Sequence, residues 1–387
     1  LIILIVGFAV SAALIGLRLL TVVYTDWLWF SELGYANTFV TITLTKTLAL
    51  FAFGGAFALI CGISIVFARR YGHPTRIMAF EVVIDGDVAL SPDHNRRQLY
   101  GWIGAVALLS FFMGVSGTPI WTIVLKYANP TSFDLADPIF FYDISFYVFS
   151  LPFYNFLQGW LIVAVIIASI TTVVSYHQDR AIRYDDNRWI TTPHVRAHIS
   201  ILAALLSLLL AWGYWLKEYE LLYSFRKDAF FGAGYTDLNI QYLAYHIMLL
   251  GLVVLAGLLI YNTRLRTWKI PGLGAAGYIG ALIVVSWGIP MVFEQIVVRP
   301  NEFDREAPYI QHAIDYTRKA YNLDKIEEVP FPGESNLTAD DIQNNQATIQ
   351  SIPLWDRRPL METYSQIQEI RSYYKFRSVD VDRYHIN

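Results

Sequence analysis

The sequence predicts a membrane all-α bundle of seven transmembrane helices, followed by the start of an α+β domain outside the cytoplasm. Three observations predict this class. Only 16% of the 387 residues are charged, against about 25% in average soluble proteins. The hydrophobic residues, 55% of the chain, occur in long blocks, and the composition becomes polar after residue 298. These features exclude a disordered chain and an ordinary soluble globule.

The predicted spans are apolar runs of at least the roughly 20 residues that cross a membrane. We place seven of them at residues 1–24, 39–68, 99–125, 153–175, 199–216, 240–261 and 276–298. The first run exceeds the apolar region of about 7–15 residues in a signal peptide, so we predict a true span. Because the sequence begins with Leu1 and not with methionine, we expect further residues before it.

Basic residues predict the orientation of the bundle. Twelve arginines and lysines lie in the loops after predicted spans 2, 4 and 6, against four in the loops after spans 1, 3 and 5. Cytoplasmic loops carry the excess of positive charge. We therefore expect a multi-pass protein of the cell membrane with a cytoplasmic N-terminus and an extracytoplasmic C-terminal region.

Two spans contain a Gly-X-Pro string, at residues 117–119 and 288–290. Proline removes a helical hydrogen bond and bends the helix. Helix packing explains such bends, and a broken helix lining a cavity is the alternative.

The composition argues against several classes of chemistry. A net charge of −3 leaves no basic surface for nucleic acid, and a single cysteine, Cys61, excludes a cysteine-rich metal site. We therefore predict no cofactor and no metal. Two weak patterns point the other way. His194 and His198 share a helix face and could bind a metal or haem, and Asp380 with Asp382 forms a DxD string, although lipid-facing histidines and a half-buried strand explain them equally.

Three ionisable residues, Arg18, Lys46 and Glu294, lie inside predicted spans. From a rise of about 1.5 Å per residue, all three lie about 9–12 Å below the outer rim. An ionisable residue at such depth is a functional hypothesis by default. They form either an ion cluster that fixes helix order or, with two cations against one anion, a site for an anionic headgroup or phosphate.

Aromatic residues predict contact with the membrane interface, where rings lie half in water. They flank predicted spans 1 and 4, and the candidates are Trp27, Trp29, Phe30, Phe140, Phe141, Phe146 and Tyr147.

Two acids, Asp26 and Glu32, fall in the predicted loop between spans 1 and 2. Membrane glycosyltransferases that use polyprenyl-linked donors keep catalytic acids in such a loop, where a carboxylate acts as general base. Interfacial anchoring by the neighbouring aromatic residues explains the loop without chemistry.

The tail at 299–387 predicts soluble α+β structure, so we divide the chain into domains at 1–298 and 299–387. An apolar stripe begins at Pro308, Thr338 with Asp341 fits a capping box, and Pro359 opens a third helix. Residues 376–386 alternate like a strand. With that strand unpaired, we expect the tail to be part of a larger domain.

Longer strings give a resemblance. They are WF at 29–30 with ELGY at 32–35, DPIF at 137–140 with DISFY at 143–147, GAGYTD at 232–237, PNE at 300–302, PYI at 308–310, TRKAY at 317–321, LWD at 354–356, IRSYY at 370–374 and VDVDRY at 379–384. Together they resemble the prokaryotic membrane family catalogued as uncharacterised protein family 0182. The resemblance implies seven helices and a large extracytoplasmic domain that continues beyond this chain. It implies no established activity.

Three functions follow as hypotheses. The first is an envelope anchor or scaffold that presents an extracytoplasmic domain to a partner protein, lipid or polymer, because the recognisable strings gather in the outer loops and the tail. Its partners would be membrane lipids and other envelope or membrane proteins. The second is the glycosyltransferase with Asp26 and Glu32. The third is a transporter with Arg18, Lys46 and Glu294 on its path.

Overall fold

The computed structural model describes residues 2–72, 92–179, 181–185, 188–224, 231–265, 267–331, 333, 337–352, 355–368 and 375–380. These residues are mostly helical. The long helices are α1 (Ile2–Glu32), α2 (Ala36–Gly72), α3 (Pro92–Val115), α4 (Trp121–Ala128), α5 (Leu151–Gln178), α6 (Pro193–Glu220), α7 (Tyr242–Leu265), α8 (Lys269–Ala281), α9 (Ile289–Phe293) and α10 (Glu302–Ala320). Three shorter helices follow: α11 (Ala339–Asn344), α12 (Gln346–Ser351) and α13 (Arg357–Gln368).

Six helical stretches in the described residues are long and apolar enough to cross a membrane. They are Ala36–Tyr71, Gln98–Ala128, Phe146–Gln178, Pro193–Tyr223, Asp237–Leu265 and Lys269–Ala320. Each contains one of the predicted spans 2–7. The first predicted span falls in α1, whose N-terminal side chains lie outside the described residues, so the seventh span stays a prediction.

The predicted α+β tail is not supported. The described residues after 298 contain helices α10–α13 and no strand; residues 376–380 are not a strand, and 381–386 lie outside the described part. The two strands that the structure does have, β1 (Ile182–Asp185) and β2 (Arg188–Thr191), form an antiparallel hairpin between α5 and α6. The predicted capping box is confirmed: the Thr338 hydroxyl accepts from the Asp341 N–H, 3.2 Å away.

The α2, α3 and α5 helices build the main core, which is centred on Phe57, Cys61 and Trp160. Small residues bring α2 and α3 together. A Cβ on Gly114 would lie 2.5 Å from the Leu50 carbonyl oxygen and 3.2 Å from the Gly54 Cα, so this contact requires glycine. Close approach at small residues is how helices associate without a hydrophobic drive between them. A second core cluster joins α6 to α7 through Ala204, Ala256 and Leu259.

Both Gly-X-Pro strings distort their helices. At the first string α3 ends, a 3-10 turn at Thr118–Ile120 follows, and α4 continues the span. At the second, α8 passes into a π-helical stretch, Leu282–Gly288, before α9. Another π-helical stretch, Glu294–Val298, leads towards α10.

Contacts within the chain divide it into two compact units, Leu1–Asn322 and Leu323–Asn387. The first unit contains α10, which lies beyond the change of composition at residue 298. The first helix of the polar tail is therefore packed as part of the bundle.

Candidate functional site

Several of the strings singled out above meet where α10 begins, which we name the α10 end of the bundle. The contributing segments are the loop at 132–147, the segment at 232–241, the π-helical stretch Glu294–Val298 and α10 itself. Each is arranged around a carboxylate that accepts hydrogen bonds.

Asp137 organises the 132–147 loop. One carboxylate oxygen accepts from the N–H groups of Ile139 and Phe140, at 2.9 and 2.6 Å. The other accepts from the Tyr142 N–H and the Tyr147 hydroxyl, at 2.9 and 2.8 Å. Four donors on a carboxylate that is 5% exposed make Asp137 a structural centre of the loop.

Asp143 has a similar role nearer the surface. The Ser145 N–H lies 2.7 Å and the Phe133 N–H 3.2 Å from one oxygen, and the Ser132 hydroxyl lies 3.0 Å from the other. Hydrogen bonds from Ser145 first, and then from Phe133 and Ser132, hold the pKa of the Asp143 carboxyl well below its usual range. The ionised form of Asp143 therefore ties the two sides of the loop together.

Three carboxylates converge on the turn at 234–236, within the GAGYTD string. Asp237 accepts from the Gly234 N–H at 3.1 Å, and Glu306 accepts from the Tyr235 N–H at 2.9 Å. Glu294 accepts from the Thr236 hydroxyl. Each acid comes from a different segment, so this turn joins the start of α7 to the end of the last apolar span and to α10.

Tyr235 is the residue through which α10 contacts the bundle. The Arg305 Nη1 donates to its hydroxyl at 2.9 Å, and the guanidinium lies 5.1 Å from the ring centroid. The ring also stacks on Phe293 and packs edge-on against Tyr309. Further along α10, the Tyr316 hydroxyl donates to the carbonyl of Ala136. The start of the tail is therefore fixed to two loops of the bundle.

A cavity of about 260 Å³ lies between these loops and α10. Its walls include Tyr147, Tyr223, Tyr309, His312 and Tyr316. Asp137 also reaches it, but with both oxygens occupied by internal donors that carboxylate serves the fold.

The predicted interface aromatics divide into two groups. Trp27, Trp29 and Phe141 are exposed, and Phe141 is 79% exposed at a positive φ of 61°. Phe140, Phe146 and Tyr147 instead pack in a cluster with Leu216 and Tyr219, and Tyr147 is only 7% exposed. A buried tyrosine that donates to Asp137 belongs to the protein interior and not to a lipid-facing surface. Phe30, partly buried, packs against Phe39 of α2.

The three predicted intramembrane charges have different surroundings. The Lys46 ammonium lies 5.7 Å from the Trp121 ring centroid, a cation–π contact between α2 and α4. Glu294 accepts from Thr236 at the α10 end. Arg18 is exposed on α1. The described contacts place each residue with its own neighbours.

The loop assumed for the glycosyltransferase hypothesis is helical. Helix α1 continues to Glu32, and α2 begins at Ala36. Asp26 and Glu32 are therefore separated by six helical residues, about 1.7 turns, and point to different faces of α1. Both side chains are exposed. This geometry does not converge two carboxylates on one substrate.

His198 belongs to a hydrogen-bonded chain in the half of the bundle away from α10. Its Nδ1 lies 2.8 Å from the Tyr176 hydroxyl, and its Nε2 lies 3.2 Å from the Ser64 hydroxyl, which is 2.6 Å from that of Thr172. Both ring nitrogens have protein partners, which leaves no ligand position for a metal shared with His194. His194 stacks on Tyr71.

The other weak metal pattern has no support either. Asp380 lies 3.8 Å from Arg357 in an exposed ion pair, and Asp382 lies outside the described residues. Over the part of the chain that is described, no three His, Cys, Asp or Glu residues are grouped to hold a metal ion.

Sequence reasoning missed one pair. Glu218 of α6, interpreted from sequence as part of a solvated charge group, is 5% exposed, and its Oε1 lies 3.2 Å from the His246 Nδ1 of α7. His246 also packs edge-on against Tyr242, 4.5 Å away. The two residues are 28 positions apart on different helices, so no local signal could have joined them.

The fold and the α10 end together define a multi-helix protein with helices that could span a membrane and a polar segment clamped to one end. The family follows from comparison: the profile of the Uncharacterised protein family (UPF0182) matches residues 2–387, and the chain belongs to that family.

Curated relatives carry the same family name. The chain is 36% identical to a UPF0182 protein of Sulfurovum sp. (strain NBC37-1), over 94% of this chain and 40% of the relative. It is 36% identical to one of Trichlorobacter lovleyi, over 98% and 42%, and 37% identical to one of Moorella thermoacetica, over 99% and 42%. The chain thus spans about two-fifths of the length of these relatives. No solved structure matches the chain.

Proposed function

We propose that this chain is the membrane part of an anchor that holds and orients an extracytoplasmic domain for contact with a partner protein, lipid or envelope polymer. In this proposal seven helices cross the cell membrane, the N-terminus is cytoplasmic and the α10 end faces outwards. The distribution of basic residues between the loops supports that orientation.

The observation that carries the proposal is the junction between Glu306 and Tyr235. Glu306 is 1% exposed, and it accepts from a backbone N–H 71 residues earlier in the chain. A flexible tether needs no such contact. A buried, charge-assisted hydrogen bond between bundle and tail instead supports a role in orienting the part of the protein attached beyond α10.

The orientation is tested by labelling with a membrane-impermeant maleimide in intact cells. In a Cys61→Ser background, Asn129→Cys reports the α10 end, and Tyr184→Cys reports the hairpin at the opposite end. Both native side chains are exposed. We expect Asn129→Cys to label in intact cells and Tyr184→Cys only after permeabilisation. The reverse pattern would exclude the proposed orientation.

The orienting role is tested by a distance measurement. Spin labels at Asn129→Cys and Gln311→Cys, both exposed positions, report how firmly α10 is held against the bundle. We expect a narrow distance distribution in the otherwise native chain and a broad one after Glu306→Ala. A broad distribution without that substitution would mean a flexible tether and would contradict the proposal.

A further inference from the structure

Two adjoining cavities lie along α6, away from the α10 clamp. The first, which we name the head cavity, has a volume of about 480 Å³ and is lined by Asn155, Gln158, Leu210, Gly213, Tyr214, Lys217, Glu220, Tyr278 and Leu282. The second, the chain cavity, has about 440 Å³ and lies between α6, α7 and α8. Leu210 and Tyr278 line both, so the two spaces meet at these residues.

The head cavity is polar although it lies between helices that could span a membrane. It contains one cation, Lys217, and one anion, Glu220, three residues apart on one face of α6. The Lys217 ammonium lies 5.3 Å from the Tyr214 ring centroid. Such a cation–π contact does not consume its N–H donors. Glu220 Oε1 accepts from the Asn155 amide at 2.7 Å, and its side chain remains exposed.

The chain cavity is apolar. Its walls include Ala203, Leu255, Leu259, Pro271 and Ala275. The backbone of α8 is open to it at Gly272, where an added Cβ would meet no atom within 4 Å. Gly272 lies six residues from Tyr278, or about 9 Å along the helix. A hydrocarbon chain that leaves the head cavity at Tyr278 therefore passes Gly272 within the roughly 15 Å of one leaflet, half of the hydrocarbon core.

We propose that these two cavities bind one diacyl phospholipid with a zwitterionic phosphoethanolamine headgroup. The phosphate contacts Lys217, the ammonium contacts Glu220, and one acyl chain follows the chain cavity past Gly272. The balance of one cation and one anion matches a headgroup of zero net charge, and the polar-to-apolar order along α6 matches the order within a lipid. The site requires membrane insertion but not the anchor role proposed above.

Two glycines of α8 supply a matched test of the chain position. Gly272→Leu places a side chain in the chain cavity, whereas Gly277→Leu adds the same side chain at a position that also has no atom within 4 Å but does not line the cavity. The purified full chain is titrated with a phosphatidylethanolamine of sixteen-carbon chains, and bound lipid is counted by native mass spectrometry. We expect Gly272→Leu to weaken binding about tenfold, equivalent to about 1.4 kcal/mol, and Gly277→Leu to leave it unchanged. Equal effects of both variants, or no effect of Gly272→Leu, would overturn the proposal.

The headgroup assignment is tested with charge-neutralising variants. Lys217→Gln and Glu220→Gln should each weaken binding of phosphatidylethanolamine several-fold, while Lys126→Gln, a lysine of α4 that does not line either cavity, should not. Phosphatidylglycerol, which lacks the ammonium, should bind more weakly than phosphatidylethanolamine to the native chain. Stronger binding of phosphatidylglycerol would overturn the zwitterionic assignment.

A measurement without substitutions guards against variants that fail to fold. A phosphatidylethanolamine that carries a photoreactive group in its acyl chain is incorporated into vesicles with the native chain and cross-linked by light. We expect the cross-links to concentrate on α6 between Ala203 and Leu210 and on α8 between Gly272 and Tyr278. Cross-links spread evenly over the exposed faces of all helices would show ordinary bulk lipid and would overturn the site.

Discussion

The carboxylate of Glu306 lies 2.9 Å from the backbone nitrogen of Tyr235 and joins the first helix of the polar tail to the bundle. Glu306 is almost completely buried, and its oxygens lie 3.0 and 3.3 Å from where a Cβ on Gly234 would be. The glycine thus makes room for the acid that orders the turn. This relationship explains why the GAGYTD string and α10 belong to one structural unit.

Glu306→Ala should release the Tyr235 amide. Removing the acceptor leaves a buried donor unsatisfied, which costs about 1–3 kcal/mol. We expect hydrogen exchange at the Tyr235 N–H to accelerate about tenfold or more. Glu306→Gln, which keeps an acceptor oxygen, should have a smaller effect, and Glu302→Ala, on an exposed position of the same helix, should have none. Unchanged exchange in Glu306→Ala would show that this bond does not hold the turn.

Gly114→Ala should destabilise the contact between α2 and α3. The added Cβ meets the Leu50 carbonyl oxygen at 2.5 Å, and backbone must move to relieve the overlap. Overpacking of this kind costs about 1–3 kcal/mol. Gly104→Ala is the matched control, since its Cβ on the same helix meets no atom within 4 Å. Thermal unfolding in detergent should show a lower midpoint for Gly114→Ala alone, and equal midpoints would contradict the contact.

His198→Ala should be more destabilising than His194→Ala one turn earlier. The first change removes a partner of both the Ser64 and the Tyr176 hydroxyls, which are almost fully buried. A buried group left without its partner costs about 1–3 kcal/mol. The second removes only a stacking contact with Tyr71 at an exposed position, within about 0.5 kcal/mol. The free energies of unfolding of the two variants measure the difference, and a reversed order would refute the role of the hydrogen-bonded chain.

Asp143 should make the 132–147 loop sensitive to acid. Because its pKa is lowered in the folded protein, its contribution to stability is complete above the unfolded value of about 3.9 and is lost as the pH falls through the folded value. The unfolding midpoint of the native chain should exceed that of Asp143→Asn by a constant margin above about pH 5. The margin should shrink below about pH 4. A margin that instead grows on acidification would contradict the sign of the shift.

The α-helical part of the fold is largely readable in the sequence because its signals are local. Apolar runs of sufficient length mark predicted spans 2–7, and the Thr338 capping box needs only residues three apart. Tail alternation at 376–386 misled the prediction, since period-two patterning predicts a strand only where a partner strand and a core exist to receive it. The first outer loop was misread for a related reason: aromatic residues at a membrane interface can continue a helix, and α1 does so to Glu32.

The tertiary structure alone decided which polar groups meet. Glu306 with Tyr235, Glu218 with His246, and His198 with Ser64 are separated by between 28 and 134 residues, and their contacts depend on how helices pack. Such contacts follow from helix rotation and neighbour order, which composition and periodicity do not specify. By itself the sequence determined that the chain is helical and apolar enough for a membrane. Packing decided that the polar tail begins clamped to the bundle, because only a folded chain brings a buried acid to a backbone donor so distant in sequence.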